Sequence, residues 1–295
     1  MTLGTGQLSL ADIAGEYGGS APHALSEYYG DGNAPASGEI QIHADFQGTS
    51  AFTGMTATGG TITTDGSYKV HTFTSSGTFA ISAVGDVGTV EYILCAGGGS
   101  GGGSAGYCWS GGGGGAGGMK NASGLSISAQ SYSIVVGGGG GANNGGQGGK
   151  GANSSAFGIT CEGGGGGGHG NWTGAGTTGS GGGSGGGGGQ SSAIRGGGSG
   201  VSGQGHAGGT SRIASNGGYA GGGGGGKGGA GATAFTAGAG LASSITGSSV
   251  TYSTGGNGPS GAASTTANVG DGGDSNSCSP YAGGSGVVII RYQKT

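Results

Sequence analysis

Apolar and β-branched residues gather at only a few places in this chain, and each predicts a short strand. Thr61-Ile62-Thr63-Thr64 runs through Asp65-Gly66 into Tyr68-Lys69-Val70-His71-Thr72-Phe73-Thr74. Two β-rich stretches around a glycine turn predict a hairpin. Ser75-Ser76-Gly77 turns again into Thr78-Phe79-Ala80-Ile81-Ser82. Val90-Glu91-Tyr92-Ile93-Leu94-Cys95 is more continuously apolar and is expected to be buried. Tyr132-Ser133-Ile134-Val135-Val136 and the closing Val287-Val288-Ile289-Ile290-Arg291-Tyr292 complete the predicted strands. Near the start, Leu10-Ala11-Asp12-Ile13 predicts a short helix, with Ser9 as its N-cap and Gly18-Gly19 as its stop.

Between the strands lie glycines in runs at 111–115, 137–141, 163–168, 185–189 and 221–226. Glycine accounts for 92 of the 295 residues, and proline for only 4. Collagen needs glycine at every third position and abundant proline, so that reading fails. A disordered Gly/Ser linker would lack the aromatic and β-branched residues found here. The strand Tyr132–Val136 flows straight into five glycines, which suits extended backbone that continues as an ordered rod. Extended helices of three residues per turn make no internal hydrogen bonds, so their N–H and C=O groups must pair with neighbouring helices. Glycine alone lets such backbones lie side by side. We therefore expect a mainly β and irregular fold, with a polyglycine II helix sandwich closed by apolar strands. Composition divides the chain into an N-terminal module at 1–48, a β-strand region at 49–95 and a glycine-rich domain at 96–295.

Charge removes several function classes. Eight Lys/Arg against twelve Asp/Glu leave a formal net charge of −4, so no nucleic-acid partner is expected. The longest apolar run is far short of a membrane span, so no membrane insertion is expected. A start without a basic and apolar leader leads us to expect assembly in the cytoplasm. Cysteines at 95, 108, 161 and 278 form no C-x-x-C pair and are expected to be free, structural thiols. Neither Gly149-Lys150-Gly151 nor Gly226-Lys227-Gly228 is followed by the Ser or Thr of a P-loop, and no helix pattern follows the Gly-x-Gly strings. His169, His206 and Glu162 are too few for a metal site. Asp271 and Asp274 read as a solvated turn. We expect no cofactor and no enzymatic activity.

The order of motifs from Gly60-Thr61-Ile62 through Val90–Leu94 and Ala96-Gly97-Gly98-Gly99 to the closing Gly283–Tyr292 resembles the glycine-rich domain of bacteriophage tail proteins. The glycine core is also similar in style to the tip adhesins of long tail fibres. The resemblance implies a virion protein of the tail fibre or baseplate, whose partners are other tail proteins and a host surface receptor, either a glycan or an outer-membrane protein. It leaves room for a homotrimer. Leu10, Asp12, Ile13 and Tyr17, with Tyr28, Tyr29, Asp45 and Phe46, are the candidate tail-anchoring residues. Tyr107, Trp109, His169, Asn171, Trp172, His206 and Tyr219 punctuate the glycine runs as candidate receptor contacts. The aromatic ones have a second reading as caps on the glycine stack, and capping is the expectation for Tyr281. A purely architectural tail component and a capsule depolymerase are the alternatives, the latter requiring acidic residues that converge on a groove.

Overall fold

A computed structural model of the chain describes residues 10–18, 31, 51–104, 110–171, 175–213, 219–259, 266–276 and 279–294. The chain forms two compact units, one of Met1–Met55 with Gly85–Val87 and Lys294–Thr295, the other of Thr56–Val84 and Gly88–Gln293. In the first, α1 (Leu10–Tyr17) carries Asp12 in its first turn, where the helix dipole favours an acidic residue. Gly18 ends it at φ +84, donating its N–H to Ala14 O at 2.9 Å. A left-handed glycine after the last helical turn is a preferred stop. Ser9 lies outside the described residues.

The second unit begins with β1 (Thr56–Thr58), β2 (Thr61–Asp65), β3 (Tyr68–Phe73), β4 (Gly77–Ala83) and β5 (Thr89–Cys95). β6 (Met119–Ser126), β7 (Ser131–Ile134), β8 (Ser154–Ala156) and β9 (Ile159–Cys161) follow. Two small hairpins, β10 (Arg212–Ile213) with β11 (Tyr219–Ala220) and β12 (Leu241–Ser243) with β13 (Val250–Tyr252), precede the closing β14 (Val287–Gln293). The main sheet has the order β2-β3-β14-β5-β6, and a second sheet has the order β1-β4-β7. The hairpin expected around Asp65-Gly66 is β2–β3, with Gly66 at φ +54 and Asp65 opposite Tyr68. The strand expected at Tyr132–Val136 ends two residues earlier, at Ile134. Val135 instead makes an isolated bridge to Ser155, which joins β7 to the β8–β9 hairpin.

β14 is the centre of the main sheet, antiparallel to β3 and to β5. Strand alternation sends its side chains to both faces. Val287 and Ile289 join Val70, Ile93, Cys95 and Met119 in a core closed by Ile245, Tyr252 and Val269. Tyr292 faces the second sheet, where His71, Phe79 and Tyr292 form a ring cluster with centroids 5.0 to 6.4 Å apart. His71 is fully buried, with Nδ1 2.7 Å from Gly59 O and Nε2 2.9 Å from Tyr292 Oη. Burial holds its pKa below the ordinary histidine value, so the ring is neutral, donating from Nδ1 and accepting at Nε2.

At the end of the β5–β6 ladder, pairing changes its period. Cys95 still faces Met119. Beyond it, Ala96, Gly99 and Gly102 donate to Gly118, Gly115 and Gly112, every third residue. This is the repeat of a three-residue helix. Residues 111–118 show the full pattern. Their amides turn in rotation to three neighbours: Gly112 and Gly115 to Gly168 and Gly165, Gly113 and Ala116 to Gly222 and Gly225, Gly114 and Gly117 to Gly273 and Gly270. Their carbonyls accept from three more segments, through Gly99, Gly187 and Gly256. The six neighbours also bond one to the next, as in Gly164 to Gly97, Gly168 to Gly187, Gly222 to Gly188, Gly224 to Gly256, Gly272 to Thr254 and Gly273 to Gly99. Residues 111–118 are thus the axis of a hexagonal lattice of polyglycine II rods, and all of them are buried.

Apart from Ala116, every residue of this rod is glycine, and the reason is space rather than dihedral freedom. A Cβ at Gly112, Gly113 or Gly117 would stand 2.0 to 2.1 Å from a carbonyl oxygen of an adjacent rod. Where the lattice admits a side chain, the group makes a rung. Ser100 Oγ donates to Gly141 O at 2.8 Å and accepts from Gly149 N–H at 2.8 Å. Ser154 Oγ links Cys95 O to Gly137 N–H at 2.9 Å each.

Candidate functional site

The strands β5, β6 and β14 join the rods at one end of the lattice. At the other end the rods 97–104, 111–118, 163–170 and 183–190 finish on polar residues. Gly170 N–H donates to Gly103 O at 3.0 Å, and Asn171 N–H to Gln190 O at 2.9 Å. Gln190 N–H donates to Ser110 O at 2.8 Å, and Ser110 N–H returns a bond to Gln190 Oε1 at 2.9 Å. Gln190 is 3% exposed and clasps two rod ends with backbone and side chain together. His169 N–H bonds Thr177 Oγ1 at 2.8 Å, while Thr177 N–H bonds His169 O at 3.1 Å. Arg195 N–H bonds Ser211 Oγ and Ser211 N–H bonds Arg195 O, both at 2.8 Å, which fastens the next turn of chain at this end. Beside that clasp Ile194 is 66% exposed and Ile213 39%.

The sequence-derived contact residues divide between the two ends. His169 and Asn171 lie at the polar-capped end. Tyr107, Trp109 and Trp172 lie outside the described residues. The backbone of Tyr219 opens β11, just before the rod 221–226. His206 is elsewhere. Its N–H bonds Gly226 O at 3.1 Å, beside Lys227, whose Nζ bonds Gly203 O at 2.7 Å near the strands. Gln190, Ser110, Thr177 and Arg195 went unnoticed in the sequence. The available signal was a polar residue directly ending a glycine run, as Gln190 does after 185–189.

Of the anchoring candidates, Asp12 and Tyr17 sit on α1, as does Ile13, which is fully buried. Only the backbone of Leu10 is described, as the first residue of α1. Tyr28, Tyr29, Asp45 and Phe46 lie outside the described residues.

The solvated turn expected at Asp271 and Asp274 is not there. Both residues belong to the rod 270–275, and Asp274 is 8% exposed. A three-residue period puts i and i+3 on one face, so both carboxylates point to the neighbouring rod. Thr254 N–H bonds Asp271 Oδ1 at 2.9 Å and Asn257 N–H bonds Asp274 Oδ1. Burial raises both pKa values above the usual carboxylate value, against the opposing pull of these hydrogen bonds. Cys95 and Cys161 are free and buried, with pKa values that burial pushes up to about 12 and about 11. Cys108 and Cys278 lie outside the described residues. Among the described residues no three His, Cys, Asp or Glu side chains converge as metal ligands, and no helix is long and apolar enough to cross a membrane.

A family model described as a glycine-rich domain matches residues 74–293. The chain belongs to this glycine-rich domain family. The match opens at the end of β3 and closes with β14, so the glycine-rich domain takes in every rod together with the strands β4 to β14. No curated protein matches the chain.

Proposed function

We propose that the protein is a non-enzymatic structural component of a bacteriophage tail, in the fibre or baseplate, that contacts the host receptor through the connections at the polar-capped end of the lattice. One observation carries this reading. A rigid hydrogen-bonded frame brings Ser104, Ser110, Asn171, Thr177, Gln190, Arg195 and Ser211 to one end, away from the main sheet. Loops presented by a preformed frame lose less ordering entropy on binding. Exposed Ile194 and Ile213, with aromatic residues at 107, 109 and 172 in the neighbouring connections, supply the anchor types that interfaces favour. In this reading the N-terminal unit attaches the chain to other tail proteins, and the virion is assembled in the host cytoplasm. The lattice carboxylates Asp271 and Asp274 serve backbone hydrogen bonds, which speaks for structure rather than glycan cleavage.

Exchange of residues 104–110 and 169–175 for those of a related chain tests the proposal. A changed host range with an unchanged unfolding midpoint is the expected result. An unchanged host range removes receptor contact and leaves an architectural component. Absence of the chain from the tail in electron micrographs removes both.

A further inference from the structure

We propose that Asn144 is a site of spontaneous modification, at which the backbone nitrogen of Gly145 closes on the Asn144 carboxamide and converts the residue to isoaspartate and aspartate. Asn-Gly pairs are the most open to this chemistry, because glycine has no side chain to obstruct ring closure and adopts a wide range of backbone angles. The sequence holds three such pairs, at 144–145, 216–217 and 257–258. The second lies outside the described residues. The structure separates the other two.

Asn144 and Gly145 occupy an exposed turn between the rod 137–142 and the rod 148–153. The Asn144 carboxamide makes no hydrogen bond among the described residues. The side-chain bonds of the turn belong to its neighbour. Asn143 Nδ2 donates to Gln147 O, and Asn143 Oδ1 accepts from Gly145 N–H, both at 3.3 Å. Contacts beyond ~3.2 Å are long for such bonds and hold the turn weakly. A Cβ on Gly145 would meet nothing within 4 Å, so a five-membered ring has room to form.

At the other pair both reacting groups are committed. Asn257 Oδ1 accepts the Ala237 N–H at 3.1 Å, and Nδ2 lies 3.4 Å from each carboxylate oxygen of Asp274. Gly258 N–H donates to Phe235 O at 2.6 Å. Gly258 is buried, and a Cβ there would stand 2.6 Å from Gly221 O. Reaction at Asn257 therefore waits for local opening of the lattice.

The chemistry needs only water. Gly145 N gives its proton to hydroxide and bonds to Asn144 Cγ. The Cγ–Nδ2 bond breaks, and Nδ2 takes a proton from water and leaves as ammonia. Water then opens the resulting succinimide. Attack at Cγ gives aspartate. Attack at the main-chain carbonyl carbon gives isoaspartate, with Cβ and Cγ now in the main chain. One water enters, one ammonia leaves, and either product adds one negative charge.

Isoaspartate lengthens the main chain by one methylene inside a fastened turn. Ser104 N–H donates to Asn144 O and Gly103 N–H to Gly146 O, both at 2.9 Å, on either side of the reacting bond. The added carbon changes the distance between these two ties, so the modification loosens the end of the rod 97–104. This holds whether or not that end contacts a receptor.

The test incubates the full native chain at neutral pH and maps its peptides with electron-transfer fragmentation, which separates isoaspartate from aspartate. Asn144 is expected to react at least about tenfold faster than Asn257, the weight of roughly one hydrogen bond that Asn257 must break first. In denaturant the two rates are expected to converge. Asn144→Gln, which would need a larger ring, is expected to abolish the modification with an unchanged unfolding midpoint. Should that variant unfold, Gly145→Ala, at a position with open space, is expected to slow it. Hydrogen exchange at Gly103 and Ser104 is expected to quicken in the modified chain. Equal native rates at Asn144 and Asn257, an Asn144 that reacts only in denaturant, or unchanged exchange at Gly103 and Ser104 after modification would each overturn the proposal.

Discussion

A Cβ on Gly114 would stand 2.1 Å from the carbonyl oxygen of Gly99 in the adjacent rod. Neither rod can retreat, because each is bonded to other neighbours in turn. Gly114→Ala is therefore expected to cost about 3 kcal/mol, the upper end of overpacking costs. Gly138 meets nothing within 4 Å and its φ is not positive. Gly138→Ala should leave stability unchanged or raise it by about 0.4–1 kcal/mol through the unfolded chain. Urea unfolding of the two variants checks the pair, and equal costs would contradict rod-to-rod packing as the reason for glycine.

His71 sets an acid limit. Its pKa is lowered by burial, so the unfolded chain takes up a proton first as pH falls. Its contribution to stability is intact above the unfolded value of about 6.5 and declines below it, toward the depressed folded value. The expected slope is at most about 1.4 kcal/mol per pH unit. His71→Gln, which does not titrate, should flatten the slope in denaturant titrations between pH 7 and pH 5. A slope the substitution does not alter would assign the effect elsewhere.

The carboxylates of Asp271 and Asp274 act with the opposite sign. A raised folded pKa means the native chain holds these protons more tightly. Their contribution is present below the unfolded value of 3.8 and is lost as pH rises through the raised folded value. Asp274→Asn keeps an acceptor for the Asn257 amide and should lie within about 1 kcal/mol of the parent at neutral pH, or above it. Asp274→Ala strands that amide and should cost about 1–3 kcal/mol. Thermal unfolding of both variants at pH 7 separates the hydrogen bond from the charge.

How much of this was legible in the sequence depends on where side chains carry the pattern. β14 was legible because Val287-Val288-Ile289-Ile290 is apolar on both faces. β2–β3 was legible from its glycine turn. β6 was not, since Met119–Ser126 is mostly polar and sits at the edge of the sheet, held by pairs such as Tyr92 with Ala122. That glycine runs form rods followed from strands flowing into them. Which rod lies at the centre did not, because register among rods is written in pairs such as Gly112 with Gly168, between residues that have no side chains. Asp271 and Asp274 were misread for the same reason. Their spacing means one face only once a three-residue period is known.

Thiol reactivity gives a separate check on the strand end. Cys95 Sγ lies 2.9 Å from Ser253 Oγ and 3.2 Å from Val269 O, inside the core. With pKa values near 12 and 11, neither Cys95 nor Cys161 holds thiolate at neutral pH. Iodoacetamide followed by peptide mapping should leave both unmodified in the native chain and modify both in denaturant. Modification of either under native conditions would show that this core opens.

Hydrogen exchange at residues 112–118 tests the lattice most directly. Each of these amides is buried and bonded to another segment of the chain. They should exchange only by global opening, orders of magnitude more slowly than the edge amides of Gly138 and Gly139. Exchange of 112–118 as fast as those edge amides would show that the rods do not hold one another, and the frame on which the functional reading stands would be lost.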